Sequence, residues 1–221
     1  MARPFLIGLT GSIGMGKSET AKMFARLGIP VNDSDANVHA VYEPGGAAVP
    51  QIEKAFPGTV REGRVDRVLL SKALAADPSG FKKLEAIVHP LVAQVQQAFL
   101  AKAEADGADM VVLDIPLLFE TGGHARMDAV VVVSAPSHIQ RARVLERPGM
   151  TEDKLNQILS RQMPDEEKRA KAHYVVVTDK GLDCAFEQVQ MVVKDLREKI
   201  AAEEKKDALD CSRYRNHRLR S

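Results

Sequence analysis

Residues 5–18 read FLIGLTGSIGMGKS, and the fold is decided there. The apolar run at 5–9 stops at Thr10-Gly11, and from Ser18 helical spacing follows in Ala21, Phe24, Ala25 and Leu27 until Gly28, so the order is strand, glycine loop, helix. Residues 11–18 satisfy GxxxxGK[ST] without mismatch, in the context that makes the pattern meaningful. Glycines let the backbone curl so that successive N–H groups and the positive end of the following helix converge on one anion, the polyphosphate of a nucleotide. In such a loop Lys17 reaches the β and γ phosphates and the Ser18 hydroxyl is offered to Mg²⁺. A glycine turn without a ligand has no need of lysine and serine at those two places.

Outward from this loop the chain alternates. Ile29-Pro30-Val31 leads into Asn32-Asp33-Ser34-Asp35, a second short strand with carboxylates at its end. A third strand covers 110–113 and ends in Asp114, a fourth covers 129–133, and 174–177 makes a fifth. Fully apolar strands separated by helical segments predict a parallel sheet covered on both faces, a three-layer α/β fold. Residues 38–95 hold several helical patterns broken at Pro44-Gly45-Gly46, Pro57-Gly58 and Pro78-Ser79-Gly80, and 147–171 opens on an arginine followed by Pro148-Gly149. We read 38–95 as a helical acceptor-binding insertion and 147–171 as a lid, with ordinary helical hairpins as the other reading of both. The nucleotide-binding core is then 1–37, 96–146 and 172–207, in one domain. The last helix, at 183–205, carries Val189, Val192, Val193, Leu196 and Ile200 at core-packing spacing.

Composition excludes several classes. The chain has 221 residues with 45% hydrophobic and 28% charged side chains, and no apolar run nears the roughly 18 residues of a membrane span. Its start lacks a secretory h-region, and its two cysteines form neither a disulfide framework nor metal-ligand spacing, which predicts a cytoplasmic protein. A net charge of +1 gives no global field favouring nucleic acid or an anionic membrane. Only the tail, 208–221, is locally basic, and it reads as a frayed end.

The glycine loop leaves the reaction open, because many activities use it. A GTPase switch predicts DxxG and NKxD segments; here Asp114 is followed by Ile115-Pro116-Leu117, and NKxD is missing. Asp114, delivered by a strand to the crevice, is a candidate Mg²⁺ carboxylate or a turn cap. A kinase of small metabolites needs a carboxylate beside the acceptor hydroxyl, and Asp33 and Asp35 supply two; one of them serves as base, or both serve turn chemistry. Two apart in extended chain, they are expected to point the same way. Arg143 and Arg147, four apart in one helical segment, are expected to share a face and, with Arg161, to neutralise a transferred phosphoryl group. A nucleotide-responsive binding module is the reading outside enzymes.

GLTGSIGMGKS, the DSDxxxH segment at 33–39, His89-Pro90 and DIPLLFE at 114–120 together resemble the dephospho-CoA kinase family, in order from about Phe5 to Tyr174. The resemblance implies an ATP-dependent phosphorylation of the ribose 3′-hydroxyl of dephospho-CoA with Mg²⁺ present, the last step of coenzyme A synthesis. A kinase of another small acceptor, such as a nucleoside monophosphate, is the alternative. By position it implies Asp35 as catalytic base, Lys17 as phosphate clamp and Arg143 or Arg147 as lid arginine. The implied nucleotide set is Gly11, Gly14, Met15, Gly16, Lys17, Ser18 and Glu19, and the metal set Ser18 and Asp114. Asp33, His39, Arg67 and His89 fall where the family binds its acceptor, His89 being alternatively a turn residue. Arg64 and Lys72 join Arg67 as candidates for the acceptor's pyrophosphate. Thr178-Asp179-Lys180 stands where the family often has an Asp-Asn pair near the adenine.

Overall fold

The computed structural model describes residues 3–218, with side chains outside 204 and 207–218. In chain order the elements are β1 (Phe5–Thr10), α1 (Lys17–Arg26), β2 (Val31–Asp33), α2 (Ser34–Tyr42), α3 (Val49–Ala55), β3 (Val60–Arg61) and β4 (Arg64–Val65). They continue with α4 (Arg67–Ala76), α5 (Gly80–Ala105), β5 (Met110–Asp114), β6 (Ala129–Ser134), α6 (Ser137–Leu145), α7 (Glu152–Leu159), α8 (Asp165–Ala170), β7 (Tyr174–Val177) and α9 (Leu182–Arg218). The chain divides into two units, one of Phe5–Pro30 with the chain from Pro116 onward, the other of Val31–Ile115 with the N-terminal residues.

In the first unit β6 pairs in parallel with β1, Ile7 opposite Ala129, and with β7, Val131 opposite Tyr174. Every residue of β6 is buried, which explains its run of valines: a parallel strand covered on both faces selects β-branched apolar side chains at every position. Helix α1 buries Thr20, Ala21, Met23 and Phe24, and α9 buries Ala185, Val189, Val192, Val193 and Leu196, the stripe its spacing predicts. The backbone of α9 runs to Arg218, past the end at 205 expected from periodicity, while the side chains of the basic tail lie outside the described residues.

In the second unit β2 and β5 pair in parallel, Val31 opposite Val112 and Asp33 opposite Asp114. Helices α2 to α5 and the β3–β4 hairpin enclose a core of their own, with Val41, Tyr42, Ala48, Ile52, Val65, Leu70, Leu74 and Val88 buried. The breaks expected at the Pro/Gly clusters separate these helices, but Pro90 does not break one: α5 continues through it, so His89 is helical and the turn reading is corrected. The hairpin was not foreseen. Its two-residue turn is Glu62-Gly63 with φ 50° and 76°, the left-handed pair that matches strand twist in tight hairpins. No helix among the described residues is long and apolar enough to cross a membrane.

Candidate active site

The glycine loop of the first unit needs its glycines for two physical reasons. Gly14 and Gly16 have φ 78° and 95°, where a side chain strains the backbone. A Cβ on Gly14 would also lie 2.5 Å from Val144 Cγ2, and one on Gly11 2.6 Å from the Val133 carbonyl oxygen. Gly16 is the N-cap of α1 and brings no capping side chain, so the first N–H groups of this ten-residue helix remain for an anion, which the helix dipole also favours. Lys17 and Ser18 open the helix. Glu19, in its first turn, pairs with Lys22 at 2.7 Å, an exposed contact of small energetic weight.

Side chains distant in sequence brace the loop. The Thr178 hydroxyl donates to the Met15 carbonyl at 2.8 Å. Arg143 holds the same threonine with a fork, Nη1 to Oγ1 at 2.8 Å and Nη2 to the Thr178 carbonyl at 2.6 Å. Gln140 Nε2 donates to the Ile13 carbonyl at 2.8 Å, and the Ile13 amide donates to Gln162 Oε1 at 3.1 Å. Thr178, Gln140 and Gln162 carry no motif, and only contact across 120 residues or more reveals them; Thr178 supports the loop from where the sequence reading looked for adenine contacts.

The arginines separate. Arg143 lies on α6, but α6 ends at Leu145 with Glu146 as its C-cap, so Arg147 falls beyond the helix and the shared face expected from their spacing does not form. Arg147 and Arg161 are exposed. Segment 147–171 is fastened by buried polar contacts: Lys168, fully buried, pairs with Glu120 at 2.9 Å, Glu120 accepts from the Met163 amide at 2.7 Å, and Ser134 donates to Asp165 at 2.6 Å. Burial pushes the Glu120 carboxyl up, but the ion pair with Lys168 and the hydrogen bond from the Met163 amide outweigh it and hold the group below its ordinary value.

In the second unit the paired aspartates do not share extended chain: Asp33 ends β2 and Asp35 is already helical. Asp33 is the N-cap of α2, its Oδ1 accepting from the amides of Asp35 at 2.8 Å and Ala36 at 3.1 Å, so its carboxylate serves local structure. Asp35 sits in the first turn of α2, exposed. Asp114, 2% exposed, ends β5 opposite Asp33.

A cavity of about 440 Å³ in this unit is lined by His39, Tyr42, Arg61, Arg64 and Arg67 together with the carboxylates of Glu43, Glu62 and Asp66. Arg67 Nη2 donates to His39 Nδ1 at 3.0 Å, and His39 Nε2 lies 3.3 Å from Glu43. The Arg67 guanidinium also lies over the Tyr42 ring, 5.7 Å from its centre, and Tyr42 has its pKa raised by burial, a rise that Arg67 opposes. Three guanidinium groups around one hollow suit a phosphorylated ligand. His89 and Lys72, on α5 and α4, are not among its lining residues. A hollow of about 480 Å³ between Leu27 and α9 holds none of the predicted site residues.

Residues 5–183 match the model of the dephospho-CoA kinase family. The dephospho-CoA kinase of Rhizobium etli is 57% identical over 195 residues, 88% of this chain and 95% of that protein. That of Mesorhizobium japonicum is 55% identical over 87% of this chain and 96% of its own length. Among solved structures, TT1252 from Thermus thermophilus superposes with a TM-score of 0.77 at 34% identity, over 88% of this chain and 98% of that one.

Proposed function

The chain belongs to the dephospho-CoA kinase family, and from that premise we propose that it transfers the γ-phosphoryl group of ATP to the ribose 3′-hydroxyl of dephospho-CoA, the last step of coenzyme A synthesis. The observation that carries this reading is the glycine loop, with left-handed Gly14 and Gly16 at the open end of α1, inside the stretch that matches the family.

Transfer proceeds by attack of the 3′-oxygen on the γ-phosphorus while the bond from that phosphorus to the β,γ-bridging oxygen breaks, and ADP leaves with the electron pair. The hydroxyl proton goes to the Asp35 carboxylate. Lys17 and the amides of Gly14, Met15, Gly16 and Ser18 take the phosphate charge, with Gly11 and Glu19 shaping the loop and helix start. Arg147 serves the transferred group, whereas Arg143, committed to Thr178, acts by holding the loop from behind. The Ser18 hydroxyl and the Asp114 carboxylate are each hard oxygen donors of the kind Mg²⁺ selects, and as candidates to hold that ion they would bring charge neutralisation to the nucleotide phosphates.

The acceptor's diphosphate is assigned to the cavity of Arg61, Arg64 and Arg67, with His39 orienting Arg67. Asp33 has its role in the α2 cap, and His89 is left as a secondary acceptor contact. With only two cysteines in the chain, the cytoplasm is the compartment we assign.

The test is ADP release from ATP and Mg²⁺ with dephospho-CoA, with nucleoside monophosphates, and with no acceptor. The proposal predicts fast release with dephospho-CoA alone. Equal release without acceptor, or faster release with a monophosphate, contradicts it.

A further inference from the structure

Ile13 in the phosphate loop has both of its backbone polar groups, which belong to two successive peptides, held by glutamine side chains. Gln140, on α6 and 5% exposed, donates to its carbonyl at 2.8 Å, and its amide donates to Gln162 at 3.1 Å. Gln162 lies in the turn between α7 and α8, half-buried. The residue after it, Met163, is bonded to Glu120, and Asp165 and Lys168 beyond are bonded to Ser134 and Glu120. On the other side α7 is tied to α6 by the Arg141–Glu152 ion pair. Gln162 is thus delivered to Ile13 from a segment fastened at both ends.

The next loop residue is Gly14, at φ 78° and packed against Val144 and the Gln140 backbone. The amide held by Gln162 belongs to the Ser12–Ile13 peptide and the carbonyl held by Gln140 to the Ile13–Gly14 peptide, so the two glutamines together fix the peptide planes on either side of Ile13 and with them the aim of the amides that follow. A loop held before the phosphate arrives loses less conformational freedom on binding it.

We propose that Gln162 is a positioning residue of the phosphate loop: by capping the Ile13 amide it holds the loop in its nucleotide-binding shape and makes that shape depend on the seating of segment 147–171. Gln140 is the fixed half of the same clamp. The inference rests on nucleotide binding at the loop and is independent of the acceptor assignment.

Two variants test it, Gln162→Met, which keeps the volume and removes the acceptor oxygen, and Gln162→Glu, which keeps an acceptor. The readouts are amide exchange at Ile13 by NMR without nucleotide, affinity for a non-hydrolysable ATP analogue, and thermal melting, all with no acceptor present. A wrong acceptor assignment therefore leaves the result untouched. In Q162M, exchange at Ile13 is expected to accelerate roughly tenfold or more and analogue affinity to fall roughly threefold to tenfold, with melting nearly unchanged. Q162E is expected to keep the slow exchange. The proposal is overturned if Q162M matches the parent in exchange and affinity, or if Q162E exchanges as fast as Q162M. It is equally overturned if Q162M loses its cooperative melting transition, which would make the residue a support of the whole fold instead of the loop.

Discussion

Replacing Lys168 by methionine isolates the buried pair that anchors segment 147–171. The lysine side chain is fully buried and that of Glu120 is 17% exposed, with 2.9 Å between them. Removing one partner of a buried ion pair leaves the other charge uncompensated, which costs about 3–5 kcal/mol. Glu120 keeps the Met163 amide and some exposure, so the loss here is placed at the lower end, about 3 kcal/mol. At about 2–4 °C per kcal/mol for a chain of this size, Lys168→Met is expected to melt roughly 6–12 °C below the parent. The double variant Lys168→Met, Glu120→Gln is expected to regain part of the loss, because the stranded charge is gone.

The pH dependence has a definite sign. Glu120 is held below its ordinary value of 4.5, so its contribution is present above that value and is lost as pH falls through the lowered one. In K168M the carboxyl has lost its partner and burial favours the protonated form. The stability gap between parent and K168M therefore narrows on acidification. Calorimetry from pH 7 down to about 3 measures both. A melting point within 2 °C of the parent, or a gap that widens in acid, would show that the Lys168–Glu120 pair does not anchor the segment.

Two further predictions concern turnover. Asp35→Asn is expected to lower kcat by roughly 10² while leaving ATP affinity nearly intact; steady-state kinetics with parent-like turnover would remove Asp35 from the mechanism. Arg67→Met removes the guanidinium that His39 and Tyr42 orient and is expected to raise KM for dephospho-CoA about tenfold with little change in KM for ATP. The opposite split would move the acceptor's diphosphate out of this cavity.

Legibility followed the range of the forces involved. The glycine loop was readable because its backbone geometry permits few residues: Gly14 and Gly16 have positive φ, and a Cβ on Gly11 or Gly14 would collide with Val133 or Val144. β5 and β6 were readable because burial on both faces leaves an unbroken apolar run. Spacing misled where an element ended or began sooner than periodicity suggests. Arg143 and Arg147 are four apart, but the helix stops between them, and Asp33 and Asp35 straddle the start of α2 instead of sharing an extended strand. The hairpin had a signal, Glu62-Gly63 between Val60 and Val65, that its short strands obscured. The grip of Gln162 on Ile13 and the pairing of Lys168 with Glu120 had none, since contacts across 149 and 48 residues depend on the assembled fold.

The proposed function comes down to one bond, a phosphate ester formed on one alcohol of one acceptor, and the product reports it. Incubation of the protein with ATP, Mg²⁺ and dephospho-CoA, followed by phosphorus NMR and mass spectrometry, is expected to give a single new phosphomonoester at the ribose 3′ position, in amount equal to the ADP formed. Inorganic phosphate released with the acceptor unchanged, or phosphate found at any other position, would contradict the account.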